Sequence, residues 1–544
     1  MKNLKRSIKN KLREILKELS YPEVNFSLMP SKNPDFGDLS TNIALLLTKT
    51  LRENPLKIAE KITSKLQNQK PQDINGITVT KPGFINFKID NFFFQSKINH
   101  IIKKAEKYGQ NSTGKGKTAN IEFVSANPTG PLTVGHGRNA ILGDSISNIL
   151  KWNGYKVTRE YYFNNAGRQM RILEESVKAR YFQTIKKDYA FPEDGYQGEY
   201  ISDIAKNIID KYGRDLSHKS SKFILEAEKI IFAQIKDTLN RLKINFDIFT
   251  NEKAFYENGD IKKLLSELKR KGLLYEKGNA TWFKASSVGL KQDRVYIKKS
   301  GEPTYRVPDT AYHKNKVDRG FDLIIDIFGT DHADAYPDVI CALNALEYKT
   351  DHIKVLLYQF VTLLKNGKKL KMSTRKANYV TMDELIKEVG SDVIRYFFIM
   401  RSMNTHLDFD INVAKDQSEK NPVYYLQYAY ARISSILRRA DDIKVDLSKS
   451  DQYKKLSHKT EIYLLKHVII FPEIIKNCMK SFEPQSIANY LQELANRFHK
   501  FYGRCRVISN DKQLSTARLG LINATKIVFE NGLNILGISC PEKM

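Results

Sequence analysis

The chain has 544 residues, with 89 Lys and Arg against 61 Asp and Glu for a formal net charge of +28, and four cysteines. That length holds roughly three to four domains with a core that needs no staples, and the charge favours a polyanionic partner such as nucleic acid. The scattered Cys341, Cys478, Cys505 and Cys540 include no Cys-x-x-Cys pair, which argues against a disulfide framework and a structural zinc site, and no run of 18 apolar residues is present to span a membrane.

In chain order, Leu4, Ile8, Leu12, Ile15 and Leu19 form a helical stripe. Glu14 and Glu18 interrupt the positive charge there and no apolar block follows, so the segment reads as an amphipathic helix rather than a signal peptide, and a cytoplasmic protein is expected. A turn-rich stretch at 33–38, a helix over 43–47, and strands around 77–79 and 84–87 joined by Pro82-Gly83 make a small α/β domain, 1–110. A Gly- and Lys-rich linker opens a second domain, 111–410, whose alternating strands and helices predict a parallel sheet. Strands are predicted at 121–124, 157–162, 323–329 and 353–361. Highly charged helices at about 185–275 read as an insertion between two halves of the sheet. Residues 411–544 read as an all-helical domain rich in Lys, Arg and Tyr.

The strand at 121–124 runs into Pro128-Thr129-Gly130-Pro131-Leu132-Thr133-Val134-Gly135-His136-Gly137-Arg138, followed by a helix in which Ile141, Leu142, Ile146, Ile149 and Leu150 recur at helical spacing. A strand, a Pro/Gly turn and a helix place His136 in the first helical turn, where unpaired N–H groups and the helix dipole favour anions. Gly135 leaves room for a flat ring against the backbone, and His136 can donate to a phosphate. Far downstream, Lys371-Met372-Ser373-Thr374-Arg375 forms a short basic turn able to swing over a polyphosphate. A polyphosphate held between them needs positioning and charge stabilisation, terms that His136, Lys371 and Ser373 supply with Mg²⁺ on the phosphates. Glu122, alone in an apolar strand, lacks a local partner, and with Asn127 it flanks that Pro/Gly turn. Tyr305 and Asp309 add a phenol and a second carboxylate, a set suited to a planar guanidinium. On the C-terminal helices Tyr424, Tyr428 and Arg432 interleave aromatics with a cation, as stacking on splayed bases requires.

The two turns resemble the paired ATP-binding signatures of class I aminoacyl-tRNA synthetases. The pieces 121–132, 301–305, 329–332, 421–429 and 533–544 resemble those of arginyl-tRNA synthetases, in that family's domain order. The resemblance implies an α/β class I Rossmann-type catalytic domain with an insertion, a preceding α/β domain that contacts the tRNA core, and a helical anticodon-binding domain. It implies that Glu122, Ser125, Asn127, Tyr305 and Asp309 hold L-arginine. ATP is then held by Pro128, Thr129, Gly130, Thr133, Gly135, His136 and Gly137, with Lys371, Met372, Ser373 and Arg375. The expected partners are tRNA(Arg), L-arginine and ATP with Mg²⁺, with no structural zinc, no membrane and a monomeric enzyme. Thr133 stands where the family's first signature His stands, Thr374 where its second signature Lys stands, and Ala333 where a second His often follows. Two alternatives are a class I synthetase for cysteine, which the cysteine distribution disfavours, and a catalytically inactive paralogue that only binds RNA, which would be expected to lose the ATP turns.

Overall fold

The computed structural model describes residues 1–31, 33–370, 380–441 and 450–544. Helix α1 (Lys2–Glu18) buries Leu4, Ile8, Leu12 and Ile15, as its stripe requires. Helices α2 (Ile43–Leu51) and α3 (Pro55–Asn68) pack on an antiparallel sheet of β1 (Leu28–Pro30), β2 (Leu39–Thr41), β3 (Ile74–Thr80) and β4 (Phe84–Ile89), ordered β1-β2-β4-β3. The Asn54 side chain caps α3 by accepting from Leu56 N–H, with Pro55 opening the helix. Strands β1 and β2 are three residues each, too short to leave an alternation in the sequence.

Short helices α4 (Asn91–Gln95) and α5 (Ile98–Lys104) lead to β5 (Thr118–Glu122), α6 (Val134–Trp152) and β6 (Lys156–Phe163). Three helices follow, α7 (Gly167–Thr184), α8 (Glu199–Tyr212) and α9 (Lys222–Arg241), then β7 (Ile248–Asn251), α10 (Glu252–Glu257) and α11 (Asp260–Arg270). A small antiparallel sheet of β8 (Leu274–Lys277), β9 (Ala280–Phe283) and β10 (Arg294–Ile297) precedes α12 (Arg306–Asp318), β11 (Leu323–Gly329), α13 (Tyr336–Ala345) and β12 (Ile353–Tyr358). The main sheet is wholly parallel, ordered β12-β11-β5-β6-β7. The chain thus progresses from β5 outward through β6 and β7, and β11 and β12 build on the other side. The resulting switch point lies between β5 and β11, where open α/β sheets hold ligands at the carboxyl ends of their strands.

Two expectations need correction. The segment 185–275 is not wholly outside the sheet: β7 pairs with β6 at its edge, and its four residues, Ile-Phe-Thr-Asn, are too few to read as a strand. The strand predicted at 353–361 is two. The chain breaks after Tyr358, and β13 (Val361–Lys365) joins β14 (Lys368–Lys369) and β15 (Leu407–Asp410) in a separate sheet. The 371–375 turn therefore follows a hairpin rather than a strand of the main sheet, and residues 371–379 themselves lie outside those described.

Helices α14 (Met382–Val389), α15 (Ser391–Ile399) and α16 (Ile411–Lys415) lead to the C-terminal helices α17 (Pro422–Asp441), α18 (Lys459–Ile469), α19 (Phe471–Ser481), α20 (Gln485–Tyr502) and α21 (Lys512–Ile535). These dock on both other parts of the chain. Lys5 pairs with Glu473 (2.6 Å) and Lys466 with Asp38 (2.5 Å), while Asn531 Nδ2 donates to Ala105 O (2.9 Å) and Tyr108 O (3.0 Å). The buried Arg395 guanidinium donates to Leu536 O and Leu242 O (both 2.7 Å) and pairs with Asp144 on α6. Arg138, also on α6, donates to Gln359 O (2.6 Å), Ser402 O and Thr405 O (both 3.1 Å). Buried guanidinium groups need such partners; Arg138 finds them for both terminal nitrogens and leaves its Nε without one, and the two arginines clamp the helix that carries His136. No helix among the described residues is long and apolar enough to cross a membrane.

Candidate functional site

The cleft is built at the carboxyl ends of β5 and β11. Parallel pairing puts Glu122 of β5 opposite Asp326 of β11 on one side and Glu160 of β6 on the other, so three buried carboxylates share one face of the sheet. Helix α12 covers that face with His313, Lys316 and Arg319, spaced three apart along one side of the helix. Lys316, fully buried, pairs with Glu122 and with Asp326 (2.5 Å). His313 meets Asp326 (3.1 Å) and the Asp309 carbonyl (2.9 Å), and Arg319 pairs with Glu160 (2.7 Å). Two acceptors flank the His313 ring, which favours a proton on each nitrogen; burial and Lys316 push its pKa down, but Asp326 and Glu122 outweigh them and the net shift is upward. Burial likewise opposes charge on Lys316 and Asp326, yet their mutual attraction holds the lysine's pKa raised and the aspartate's well below the usual range. Glu122, His313 and Asp326 offer ligand atoms within 4.8 Å of one another, a spacing that would suit a metal, but the Lys316 ammonium is the cation between the two carboxylates.

After Glu122 the chain turns sharply. Val124 (φ 67°) and Ser125 (φ 43°) both adopt left-handed backbone, strained for side chains with a Cβ. The turn is held from three sides. Val124 N–H donates to Asn139 Oδ1 (2.9 Å), whose amide donates to Ile327 O on β11 (2.9 Å). The Tyr161 hydroxyl donates to Ala126 O (2.8 Å). The Ser125 hydroxyl donates to Glu122 Oε1 (2.9 Å) and accepts from Tyr162 N–H (3.2 Å). Asn127 accepts from Asn164 N–H (3.1 Å) and donates to Gln169 (2.8 Å). Glu122, Ser125 and Asn127 are therefore brought together, with Glu122 tied to a partner 194 residues away that no local reading could supply.

Asp309 lies one helical turn after Tyr305 on α12 and makes no capping bond; its carboxyl is pushed up to about 7 by burial, with His313 opposing and Glu252 and Glu122 adding to the rise. Glu252, the first residue of α10, is also raised by burial, against the hydrogen bond it accepts from the Tyr162 hydroxyl (2.9 Å). Among the described residues neither carboxylate has an ion-pair partner. Tyr162, whose hydroxyl donates to Glu252, stacks on Tyr312 at 4.2 Å. Tyr305 is not part of this cluster: it is 55% exposed, with the Arg306 guanidinium 4.7 Å from its ring centroid. Sequence reasoning missed Glu252, Tyr162 and Lys316. Glu252 stands in the run Asn251-Glu252-Lys253, which reads as solvated surface, whereas the 313/316/319 spacing of cations on α12 is a signal that facing acids would have explained.

His136 falls in the first turn of α6, as expected. Thr133 is the N-cap of α6, and its N–H donates to His136 Nδ1 (3.2 Å), which assigns the ring proton to Nε2 in the neutral form. Burial pushes the His136 pKa down to about 4, with nearby Asp331 pulling the other way. Tyr200 of α8 donates to Thr129 O (2.7 Å) and would sit 3.0 Å from a Cβ at Gly130; Pro128 beside them is buried. A Cβ at Gly137 would fall 2.2 Å from the Met382 sulfur, so Gly137 is required by the protein's own packing. Nothing lies nearer than 3.8 Å to a Cβ at Gly135, leaving its face open. Thr133 bridges Thr381, and Met382 N–H donates to Leu132 O (2.8 Å), so the chain returning from 371–379 is tied to this turn. Lys371, Met372, Ser373, Thr374 and Arg375, and the side chain of His332, lie outside what the structure describes.

On α17, Tyr424 and Tyr428 stack at 6.5 Å with 8° between planes, and the Tyr428 ring also stacks on His499. Arg432 bonds the Tyr428 hydroxyl and lies over the rings of Tyr428 and Tyr502. This half-exposed ladder follows the i, i+4, i+8 spacing of one helix face.

Three family models match the chain: arginyl tRNA synthetase N terminal domain over residues 2–89, tRNA synthetases class I (R), catalytic domain over 97–397, and DALR anticodon binding domain over 426–544. The arginine–tRNA ligase of Salinibacter ruber is 44% identical over 562 residues, covering 99% of this chain and 100% of that protein. That of Desulfotalea psychrophila is 46% identical over 517 residues, covering 94% of each. Among solved structures, Thermus thermophilus arginyl-tRNA synthetase superimposes with a TM-score of 0.73 at 21% identity, over 99% of this chain and 100% of that one. The Plasmodium falciparum arginyl-tRNA synthetase gives 0.74 at 20% identity, over 99% of each, which speaks to the fold.

Proposed function

The chain belongs to the arginyl-tRNA synthetase family of class I ligases, and from that premise we propose how its own residues divide the work. An arginine–tRNA ligase joins the arginine carboxylate to the α-phosphate of ATP, releasing pyrophosphate, and a terminal ribose hydroxyl of the tRNA then attacks the adenylate carbonyl and displaces AMP. In this reading Asp309 and Glu252 take the guanidinium, while Ser125 and Asn127 contact arginine beside the turn. Tyr305, one turn above Asp309, closes over the bound amino acid. Pro128, Thr129, Gly130, Thr133, Gly135 and His136 hold ATP, which enters with Mg²⁺ as substrate, and Lys371, Met372, Ser373 and Arg375 close on its phosphates. Gly137 keeps the turn seated on Met382. The enzyme acts as a monomer in the cytoplasm, without zinc.

The observation that carries the arginine assignment is the pair of carboxylates, Asp309 half-buried and Glu252 buried, both raised by desolvation, neither of which has an ion-pair partner among the described residues. Such a pair is unfavourable until a cation enters, and a guanidinium offers several N–H groups in one plane. The test is arginine-dependent exchange of labelled pyrophosphate into ATP, with and without homologous tRNA. Exchange with arginine and with no other amino acid is expected. Its absence under both conditions, from folded protein that binds tRNA, would return the inactive RNA-binding paralogue.

A pH dependence follows. Asp309 must be ionised to receive the guanidinium, and in the empty pocket its carboxyl is raised to about 7. Arginine binding therefore expels a proton below that value. The arginine KM for exchange is expected to rise as pH falls from 8 to 6, approaching about tenfold per unit below the pKa, with the ATP KM moving far less. Equal drift of both KM values would remove Asp309 from the arginine pocket.

The ladder on α17 supports anticodon stacking by Tyr424, Tyr428 and Arg432. Tyr428→Ala is expected to weaken tRNA binding by roughly five- to a hundredfold, the effect of one lost base stack, with the arginine KM at saturating tRNA unchanged. Unaltered tRNA affinity would send the anticodon to another face.

A further inference from the structure

Lys316 is fully buried on α12, and its Nζ lies 4.3 Å from the Tyr312 ring centroid. Its ammonium group has only N–H to offer, so it obliges Glu122 Oε2 to accept. The other Glu122 oxygen accepts the Ser125 hydroxyl proton (2.9 Å). Ser125 Oγ in turn accepts Tyr162 N–H (3.2 Å). A serine hydroxyl has one proton and two lone pairs. With the proton given to Glu122 and one lone pair to Tyr162, Ser125 has one lone pair left for the cleft.

We infer that Lys316 is a positioning residue that, through Glu122, fixes the Ser125 hydroxyl as an acceptor toward the cleft, so that the turn after β5 receives the N–H groups of arginine and turns away acceptors. Glu122 then acts through Ser125 instead of touching arginine itself; it is only 2% exposed, and both of its oxygens are engaged within the protein. The inference rests on the reading of Ser125 as an arginine contact. A plain charge-balancing role for Lys316, between the carboxylates of β5 and β11, predicts something different.

Glu122→Gln separates the two. Lys316 still demands an acceptor, so the new amide must turn its oxygen to Lys316 and its NH₂ to Ser125. The hydroxyl then accepts from both Gln and Tyr162 and aims its proton at the cleft, where it meets arginine donor to donor. The measurement is the arginine KM and the ATP KM in pyrophosphate exchange for Ser125→Ala, Glu122→Gln and the double variant. Ser125→Ala is expected to raise the arginine KM about fivefold, and Glu122→Gln by roughly tenfold to a hundredfold. The double variant should fall back to the Ser125→Ala value, since without the hydroxyl there is no polarity to invert. Multiplying effects in the double variant would overturn the inference and leave Lys316 and Glu122 as charge balance alone. An unchanged arginine KM in Ser125→Ala would instead bring down the underlying reading of Ser125. Adding Lys316→Met to Glu122→Gln frees the amide to turn back, so the arginine KM should drop again; a folded double variant with no recovery would overturn the part given to Lys316. The Ser125 and Glu122 cycle leaves Lys316 in place and remains readable whether or not that last variant folds.

Discussion

Replacing His136 by alanine is expected to slow arginine-dependent pyrophosphate exchange by roughly 10²–10³-fold, the effect of removing one preorganised donor from a charge that develops in the transition state, while the KM values for arginine and ATP change little. Three observations set this expectation. The Thr133 N–H occupies Nδ1, so the neutral ring carries its proton on Nε2. Burial pushes the pKa down to about 4, which keeps the ring a neutral donor in the empty site. Helix α6, clamped by Arg138 and by Arg395 through Asp144, fixes where the ring sits. An interaction that strengthens as the α-phosphate becomes pentavalent lowers kcat and kcat/KM together when it is lost. The alanine variant forfeits a capping contact worth about 1 kcal/mol, so it should remain folded. His136→Asn, which keeps an N–H donor, should recover part of the rate. An alanine variant with unchanged exchange, or one that only raises the ATP KM, would move the phosphates away from His136.

Replacing Asp309 by asparagine is expected to do the opposite: arginine KM rises by about a hundredfold or more while kcat at saturating arginine moves little. Removing one partner of a desolvated charge pair costs about 2–5 kcal/mol, and here the charge lost faces a guanidinium rather than the reacting phosphorus. The same change should not lower the melting temperature of the ligand-free protein. The Asp309 pKa is raised above its unfolded value, so its ionised form opposes folding, and the penalty grows as pH climbs through about 7. Asparagine removes that penalty and relieves Glu252 and Glu122 of a neighbouring charge. A pocket destabilised while empty and satisfied by its ligand is a common arrangement at functional sites. A melting temperature that drops at pH 8 while the arginine KM stays put would mark Asp309 as structural. Arginine should also stabilise the native protein against heat far more than it stabilises the Asp309→Asn variant, by mass action on the folded state.

The parts legible in the sequence share one property: they are encoded by neighbours along the chain. The strand–turn–helix around 121–150 needs only an apolar run, a Pro/Gly turn and a 3.6-residue period, and strand, turn and helix all form, although β5 runs over 118–122 rather than 121–124 because the chain turns at Val124. The stripe of α1 and the hairpin of β3 and β4 were readable for the same reason. Strands of three or four residues were not, because β1, β2 and β7 carry too few side chains to show an alternation, and the break between β12 and β13 depends on which sheet the chain can reach.

The candidate site divides along the same line. The resemblance carried by the pieces around Glu122, Asn127, His136 and Asp309 was enough to name the family and its ligation of arginine to tRNA. Tertiary structure alone decided that Glu122 is paired with Lys316, that Glu252 rather than Tyr305 stands with Asp309, and that the Ser125 hydroxyl is held between Glu122 and Tyr162 N–H. Each of these depends on strand register and on which face of α12 meets the sheet. Register brings together groups scores of residues apart, and burial then turns a charge pattern that would be weak and screened at the surface into strong, directional pairing.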